Sequence, residues 1–248
     1  MKQLLIIGYV WPEPASSAAG SRMLQLIELF SAQNWTVTFA SAATPPSHMA
    51  DIESLGVRKA TIELNSSSFA AFVRRLQPDM VLFDRFMIEE QFGWRVAQHC
   101  PDALRLLDTE DVHCLRDARH QALKAGREVD SADLNSALAM REVAAILRCD
   151  LTLMISQYEI KLLTGHYRVA PELLLHLPFM LPNVAPQSFA PFEQRAGYIS
   201  IGNFRHAPNW DAVLYLRNTL WPLIRELHPQ APVSYTHLTL PTTCNLCR

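Results

Sequence analysis

The chain is predicted to be an α/β protein built on a doubly wound parallel sheet, followed by the first βα unit of a second domain of the same kind. Three observations predict this. Short apolar runs of strand length recur between residues 2 and 177, segments with the apolar repeat of a helix separate them, and polar loops bearing proline, glycine or acid fall where the runs end. With 248 residues, 49% of them hydrophobic and 19% charged, the chain is long enough for a large core and too apolar for disorder. Its 22 Lys plus Arg against 24 Asp plus Glu leave a formal charge of −2 without a basic run, so nothing in the sequence favours nucleic acid as a partner.

Residues 2–10 form a nearly continuous apolar run, as expected of a strand buried on both faces of a parallel sheet. A loop with Pro12, Pro14, Ser16, Ser17 and Gly20 leads to a helix whose Met23, Leu26, Ile27 and Phe30 follow the i, i+3, i+4, i+7 template. Residues 35–40 are the next strand, which completes a βαβ unit. The alternation continues with a helix over 69–76, a strand over 80–83, a helix over 88–99 and a strand over 104–107. Residues 113–147 carry a helical period broken near Gly126, read as two helices or one interrupted helix. A strand over 151–155, a helix over 157–164 and a strand over 173–177 follow, giving six or seven strands in all, each with a helix after it.

Residues 178–196 have neither period and contain Pro178, Pro182, Pro186 and Pro191, the texture of a linker. The pattern restarts with a strand over 198–201 and a helix opened by Pro208, with Val213, Leu216, Leu220, Ile224 and Leu227 on one face. Residues 233–242 (VSYTHLTLPT) resemble a translated sequencing-library adapter, codon for codon; their alternation also fits an edge strand. On the adapter reading, residues 233–248 are a non-native tail, and the Cys244 and Cys247 pair is set aside. Cys100, Cys114 and Cys149 then remain as widely spaced apolar fillers, with no disulfide or metal site expected. The longest apolar runs fall far short of the roughly 20 residues a bilayer span needs. The N-terminal run meets Trp11 and Pro12 without a small-residue cleavage site. A cytoplasmic location is expected, with peripheral contact at the inner face of the membrane left open.

Ligands of an open parallel sheet bind beyond the carboxyl ends of its strands, and four such places carry chemistry. Ser16, Ser17 and Gly20 precede a helix N-terminus that can take anionic oxygens, and they equally fit a capped helix; the loop has no G-x-G-x-x-G or P-loop spacing. Asp108, Glu110 and Asp111 with His113 follow the strand at 104–107. Asp111 or His113 can act as a general base on a hydroxyl there, while the same acids also suit a solvated helix start. Gly202, Asn203 and Arg205 form a turn in front of a helix, suited to phosphate. Asp84 and Arg85 follow the strand at 80–83, an acid and a base placed to face the cleft or to face each other.

Several segments resemble one family. They are the loop at 12–22 (PEPASSAAGSR), residues 108–119 (DTEDVHCLRDAR), residues 149–159 (CDLTLMISQYE), Leu181-Pro182-Asn183, and residues 199–213 (ISIGNFRHAPNWDAV). Together they resemble bacterial GT-B glycosyltransferases of the large retaining group that builds exopolysaccharides and lipopolysaccharides. The resemblance spans nearly all of residues 1–232. It implies a Rossmann-like N-terminal domain that binds a glycan or lipid-linked acceptor, and a second Rossmann-like domain that binds a nucleotide-diphosphate sugar as co-substrate, with no other cofactor and no metal. Ser16, Ser17, Gly20, Arg22, Asp108 and Glu110 would line the acceptor side, Asp111 and His113 would be catalytic, and Gly202, Asn203 and Arg205 would face the donor diphosphate. Val184 stands where the family commonly has glycine after Pro-Asn. The family's paired-glutamate motif and most of its nucleotide pocket lie past the residues present. The resemblance therefore implies that these 248 residues alone are inactive, lacking positioning worth about 7 to 11 kcal/mol, while a full-length parent transfers sugar. A non-catalytic sugar-binding subunit and a nicotinamide-dependent oxidoreductase use the same kind of sheet and stand as alternatives.

Overall fold

The computed structural model describes residues 2–181, 189–202 and 207–235, and divides into two units, Met1–Met180 and Leu181–Arg248. In the first, β1 (Gln3–Gly8), β2 (Thr36–Ser41), β3 (Arg58–Thr61), β4 (Met80–Asp84), β5 (Leu104–Asp108), β6 (Leu151–Met154) and β7 (Leu174–His176) form one sheet in the order β3-β2-β1-β4-β5-β6-β7. Every pairing is parallel. The chain winds outward from β1 to β3 and then returns to β4 on the other side of β1, so the topological switch point lies between β1 and β4. The helices are α1 (Ala18–Ala32), α2 (Ser68–Leu76), α3 (Phe86–His99), α4 (His113–Lys124), α5 (Ala137–Arg148) and α6 (Gln157–Gly165).

Successive side chains of a strand point to opposite faces, and β1 shows why its sequence is apolar throughout. Leu5 and Ile7 join one core with Val81, Phe83, Phe69 and Phe92. Leu4 and Ile6 join the other with Met23, Leu26, Ile27 and Phe39. A central strand covered on both faces has no solvent side to mark with polar residues.

The expected strands and helices are present with ends moved by at most two residues, and the stretch around Gly126 separates two helices, α4 and α5. Two corrections arise in this unit. The edge strand β3 was not expected, because its sequence Arg-Lys-Ala-Thr is almost wholly exposed and carries no apolar pattern; Lys and Arg suit a sheet edge by discouraging further pairing. Nor does a helix follow every strand: between β2 and β3 there is only a 3-10 turn at Glu53–Leu55. Pro45 and Pro46 disfavour a helix there, and Ile52 supplies the buried contact that a helix would otherwise make.

In the second unit β8 (Tyr198–Ser200) pairs in parallel with β9 (Val233–Tyr235). Three of the residues that carry the adapter resemblance are thus strand residues, and 236–248 lie outside the described residues. Between the two strands run α7 (Ala207–Tyr215), a π-helical turn (Leu216–Leu220) and α8 (Trp221–Leu227). Pro222 accounts for the π turn, since it has no N–H for Asn218 and its ring crowds that carbonyl, so the preceding turn widens. The widening also breaks the expected apolar face. Among the described residues of these helices Val213 and Trp221 are buried, and Leu227 is 79% exposed. Among the described residues no helix is long and apolar enough to cross a membrane.

Candidate active site

The carboxyl ends of β1, β4 and β5 lie side by side, with Asp84 and Asp108 in register as the last residues of β4 and β5. Arg22, from the sheet-facing side of α1, binds Asp108 with its guanidinium fork. Its Nε stands 3.0 Å from both carboxylate oxygens, its Nη2 2.9 Å from Oδ1, and its Nη1 donates to the Leu177 carbonyl at 2.8 Å. Both side chains are 0% exposed. Burial raises the Asp108 carboxyl above its ordinary value while the Arg22 fork opposes that rise. Charges this deep persist only as a pair.

Asp84 accepts the Tyr9 N–H on Oδ2 at 2.9 Å, which ties the loop after β1 to the end of β4. Its Oδ1 is enclosed without a hydrogen bond, 3.7 Å from Arg85 Nε, and burial pushes this carboxyl upward. Arg85 has φ 73° and ψ 155°, a conformation that ordinarily belongs to glycine. Two contacts hold it there: its N–H donates to the Asp108 carbonyl at 2.8 Å, and its guanidinium lies 5.0 Å over the Tyr9 ring. Glu110 is also left-handed, at φ 64°. Its Oε1 is enclosed without a partner, and burial, followed by the charges of Asp108 and Asp84, pushes its carboxyl up to about 8. Two non-glycine residues in rare backbone conformations flank a cluster of buried acids, the kind of strain that gathers at functional sites.

The start of α4 borrows its caps. Val112 precedes the helix and has no side-chain acceptor, so neighbouring helices supply carboxylates. Glu159 accepts the Val112 N–H at 3.0 Å, and Glu142 accepts those of His113 and Cys114 at 2.9 and 2.8 Å. The His113 ring meets the edge of Phe86 and sets Nδ1 3.1 Å from the Asp111 carbonyl. A carbonyl only accepts, so this contact places a proton on Nδ1. Asp111 itself pairs with Arg116 at 3.0 Å.

Of the residues singled out from sequence, Arg22, Asp108, Glu110, Asp111 and His113 come together at this edge. Arg22 and Asp108 lie beneath the surface rather than on it. Ser17 caps α1 by accepting the Gly20 N–H at 3.0 Å, and Ser16 donates to Glu13 Oε2 at 2.7 Å. A Cβ on Gly20 would stand 2.4 Å from the Glu13 backbone, so the loop can fold over the helix only where glycine is present. Gly202, in the second unit, lies beside the Asn209 side chain. Asn203 and Arg205 lie outside the described residues. Sequence reasoning passed over Tyr9, Glu142 and Glu159. Glu142 had a signal, an acid between Ala139 and Ala145 on the buried stripe of α5. Glu159 stands three residues after Ser156 in a capping-box pattern, which points to its own helix rather than to α4.

No protein-family model matches the chain, and no curated protein sequence matches it. Solved structures do. Sucrose-phosphate synthase from Thermosynechococcus elongatus is 15% identical with a TM-score of 0.59, over 95% of this chain and 70% of that one. The lipopolysaccharide outer core galactosyltransferase WaaB is 11% identical with a TM-score of 0.54, over 94% and 67%. A glycosyltransferase from Rickettsia africae is 11% identical with a TM-score of 0.52, over 94% and 67%. At such identities the likeness is one of fold: the chain has the Rossmann-like α/β arrangement found in GT-B glycosyltransferases.

Proposed function

We propose that the chain belongs to a glycosyltransferase that moves a sugar from a nucleotide-diphosphate sugar to a hydroxyl of a glycan or lipid-linked acceptor in cell-surface polysaccharide synthesis. The observation that carries this reading is the buried acid cluster at the switch point of a sheet whose fold is shared with such enzymes. In this reading the acceptor oxygen forms the new bond to the anomeric carbon. The bond from that carbon to the diphosphate breaks, and the nucleoside diphosphate leaves with the electron pair. His113 Nε2 takes the acceptor proton, with Asp111 and Glu142 holding the ring. Gly202, Asn203 and Arg205 receive the diphosphate, whose charge a helix N-terminus and a guanidinium neutralise. No further cofactor is invoked, and the reaction is placed in the cytoplasm, at the inner face of the membrane when the acceptor is lipid-linked.

The test is acceptor-dependent release of nucleoside diphosphate from a panel of nucleotide sugars by a protein containing residues 1–232, alongside its His113→Gln variant. Loss of roughly 100-fold or more in kcat is expected for the variant. Unchanged turnover would remove His113 from the mechanism. Tight NADH binding without any sugar transfer would replace the reading with that of an oxidoreductase.

A further inference from the structure

We propose that Glu142 is a positioning residue of the transfer step: from α5 it fixes the His113 ring and supplies the negative charge that steadies the ring once it has taken the acceptor proton. This rests on the glycosyltransferase reading and deepens it.

A histidine that opens a helix is badly placed to become a cation, because the aligned peptide dipoles put positive potential at that end. His113 is the first residue of α4, and its side chain is only 12% exposed, so water does little to help it. Glu142 offsets both effects. Its side chain is 1% exposed, and each oxygen is held: Oε1 accepts the His113 N–H at 2.9 Å and Oε2 the Cys114 N–H at 2.8 Å. Oε1 also stands 3.5 Å from Nδ1 of the ring. A carboxylate this deep ordinarily has an arginine or lysine against it. Among the described residues Glu142 makes an ion-pair contact with His113 and with no arginine or lysine.

The other charges around the ring are already matched or stand apart from it. Asp111 Oδ1 is also 3.5 Å from Nδ1, but that carboxylate is 37% exposed and pairs with Arg116 at 3.0 Å. Asp84, at the end of β4, faces Arg85. Arg141 lies over the Phe86 ring, whose edge meets His113, and is bound to Glu90. Glu159 takes the Val112 N–H and makes no ion-pair contact with the ring. Glu142 is thus the buried charge that only a helix end and the ring oppose. As the acceptor proton moves onto the ring, positive charge grows there, and a fixed carboxylate contributes most at that moment.

The Cε1 proton of His113, assigned by its loss in His113→Gln, can be followed by NMR over about pH 4 to 9 in the 248-residue chain. In Glu142→Gln the midpoint of the ring's titration should fall by about one pH unit. Glu159→Gln removes a carboxylate from the same helix end without touching the ring and should move the midpoint less than half as far. Glu142→Asp keeps the charge but draws it back by one methylene, and should fall between the two. In the transfer assay on a protein containing residues 1–232, Glu142→Gln should lose about tenfold in kcat with KM little changed. The rising limb of its kcat profile should move to lower pH by the same amount as the midpoint, which a merely structural defect would not do. A midpoint that stays in place in folded Glu142→Gln, or that moves as far in Glu159→Gln, would overturn the role of Glu142 and leave the glycosyltransferase reading standing. If Glu142→Gln does not fold, an unmoved midpoint in Glu142→Asp would overturn it equally. Absence of sugar transfer by every form, with the midpoint moving as stated, would remove the glycosyltransferase reading and with it the role in transfer.

Discussion

Replacing Arg22 with methionine tests the assignment of the Arg22 and Asp108 pair as the structural anchor of the site. Methionine keeps much of the side-chain volume on the apolar side of α1 but removes three hydrogen bonds of 2.9 to 3.0 Å to Asp108. With both partners 0% exposed, the carboxylate left behind has no water to turn to. Stranding one member of a buried pair costs about 3 to 5 kcal/mol, a large part of the roughly 5 to 15 kcal/mol that holds a typical domain together. Losing the Arg22 fork also lifts the Asp108 carboxyl further above its ordinary 3.8. A folded-state value above the unfolded one means that the folded state binds more protons between the two, so stability falls as pH rises through that window. The deficit of Arg22→Met should therefore be largest at neutral pH and narrow as the pH falls toward 3.8. Adding Asp108→Asn should return most of the loss, because no charge is then stranded. Urea titrations followed by far-ultraviolet circular dichroism at several pH values measure all three quantities. A loss under about 1 kcal/mol at neutral pH, or a deficit that does not change with pH, would mean that the pair is solvated and the anchoring role is wrong.

Three other outcomes are expected. Glu110, raised to about 8 from an ordinary 4.5, should make stability decline as pH rises between those values, and Glu110→Gln should flatten that decline; parallel pH profiles for the two proteins would contradict it. Gly20→Ala forces a methyl to within 2.4 to 2.6 Å of the Glu13 backbone and should cost about 1 to 3 kcal/mol. Gly165→Ala, at the end of α6 with nothing within 4 Å, should gain about 0.5 to 1 kcal/mol. Similar midpoints for these two variants would show that the loop does not press on α1. Arg85→Gly relieves a backbone conformation of φ 73° and ψ 155°, worth about 1 kcal/mol, but removes the cation 3.7 Å from the buried Asp84, so stability should fall, and Asp84→Asn in the same chain should return the loss. A gain in stability for Arg85→Gly alone would show that the strain outweighs the pairing with Asp84.

The sheet was legible because its central strands are buried on both faces and have to be apolar throughout, as Leu4, Leu5, Ile6 and Ile7 are. Where that requirement lapses, so does the signal. Strand β3 has one neighbour and an exposed surface, and nothing in Arg-Lys-Ala-Thr says strand. The π turn at Leu216–Leu220 had a signal in Pro222, but an amphipathic reading that assumes a uniform 3.6-residue turn steps over it and misassigns the residues beyond.

In the site the same reasoning separates what a strand end announces from what a distant helix brings. Asp84 and Asp108 close strands, and Arg85, Glu110 and His113 come within five residues after them, where a parallel sheet presents its functional groups. Glu142 and Glu159 reach the site from α5 and α6, more than 25 positions along the chain, and no local pattern states whose N–H groups they will accept. Arg22 is the instructive case. The resemblance put it on the acceptor side, yet it lies four residues before Leu26 and beside Met23, on the stripe of α1 that faces the sheet. A cation on the buried stripe of a helix requires a buried anion. The anion most within reach of a helix packed on β1 and β4 is an acid that ends a neighbouring strand, which is the position Asp108 holds at the end of β5. A charge that interrupts an apolar stripe is therefore better read as half of an interior pair, to be matched against the acids that close the apolar runs, than as a surface group waiting for a ligand.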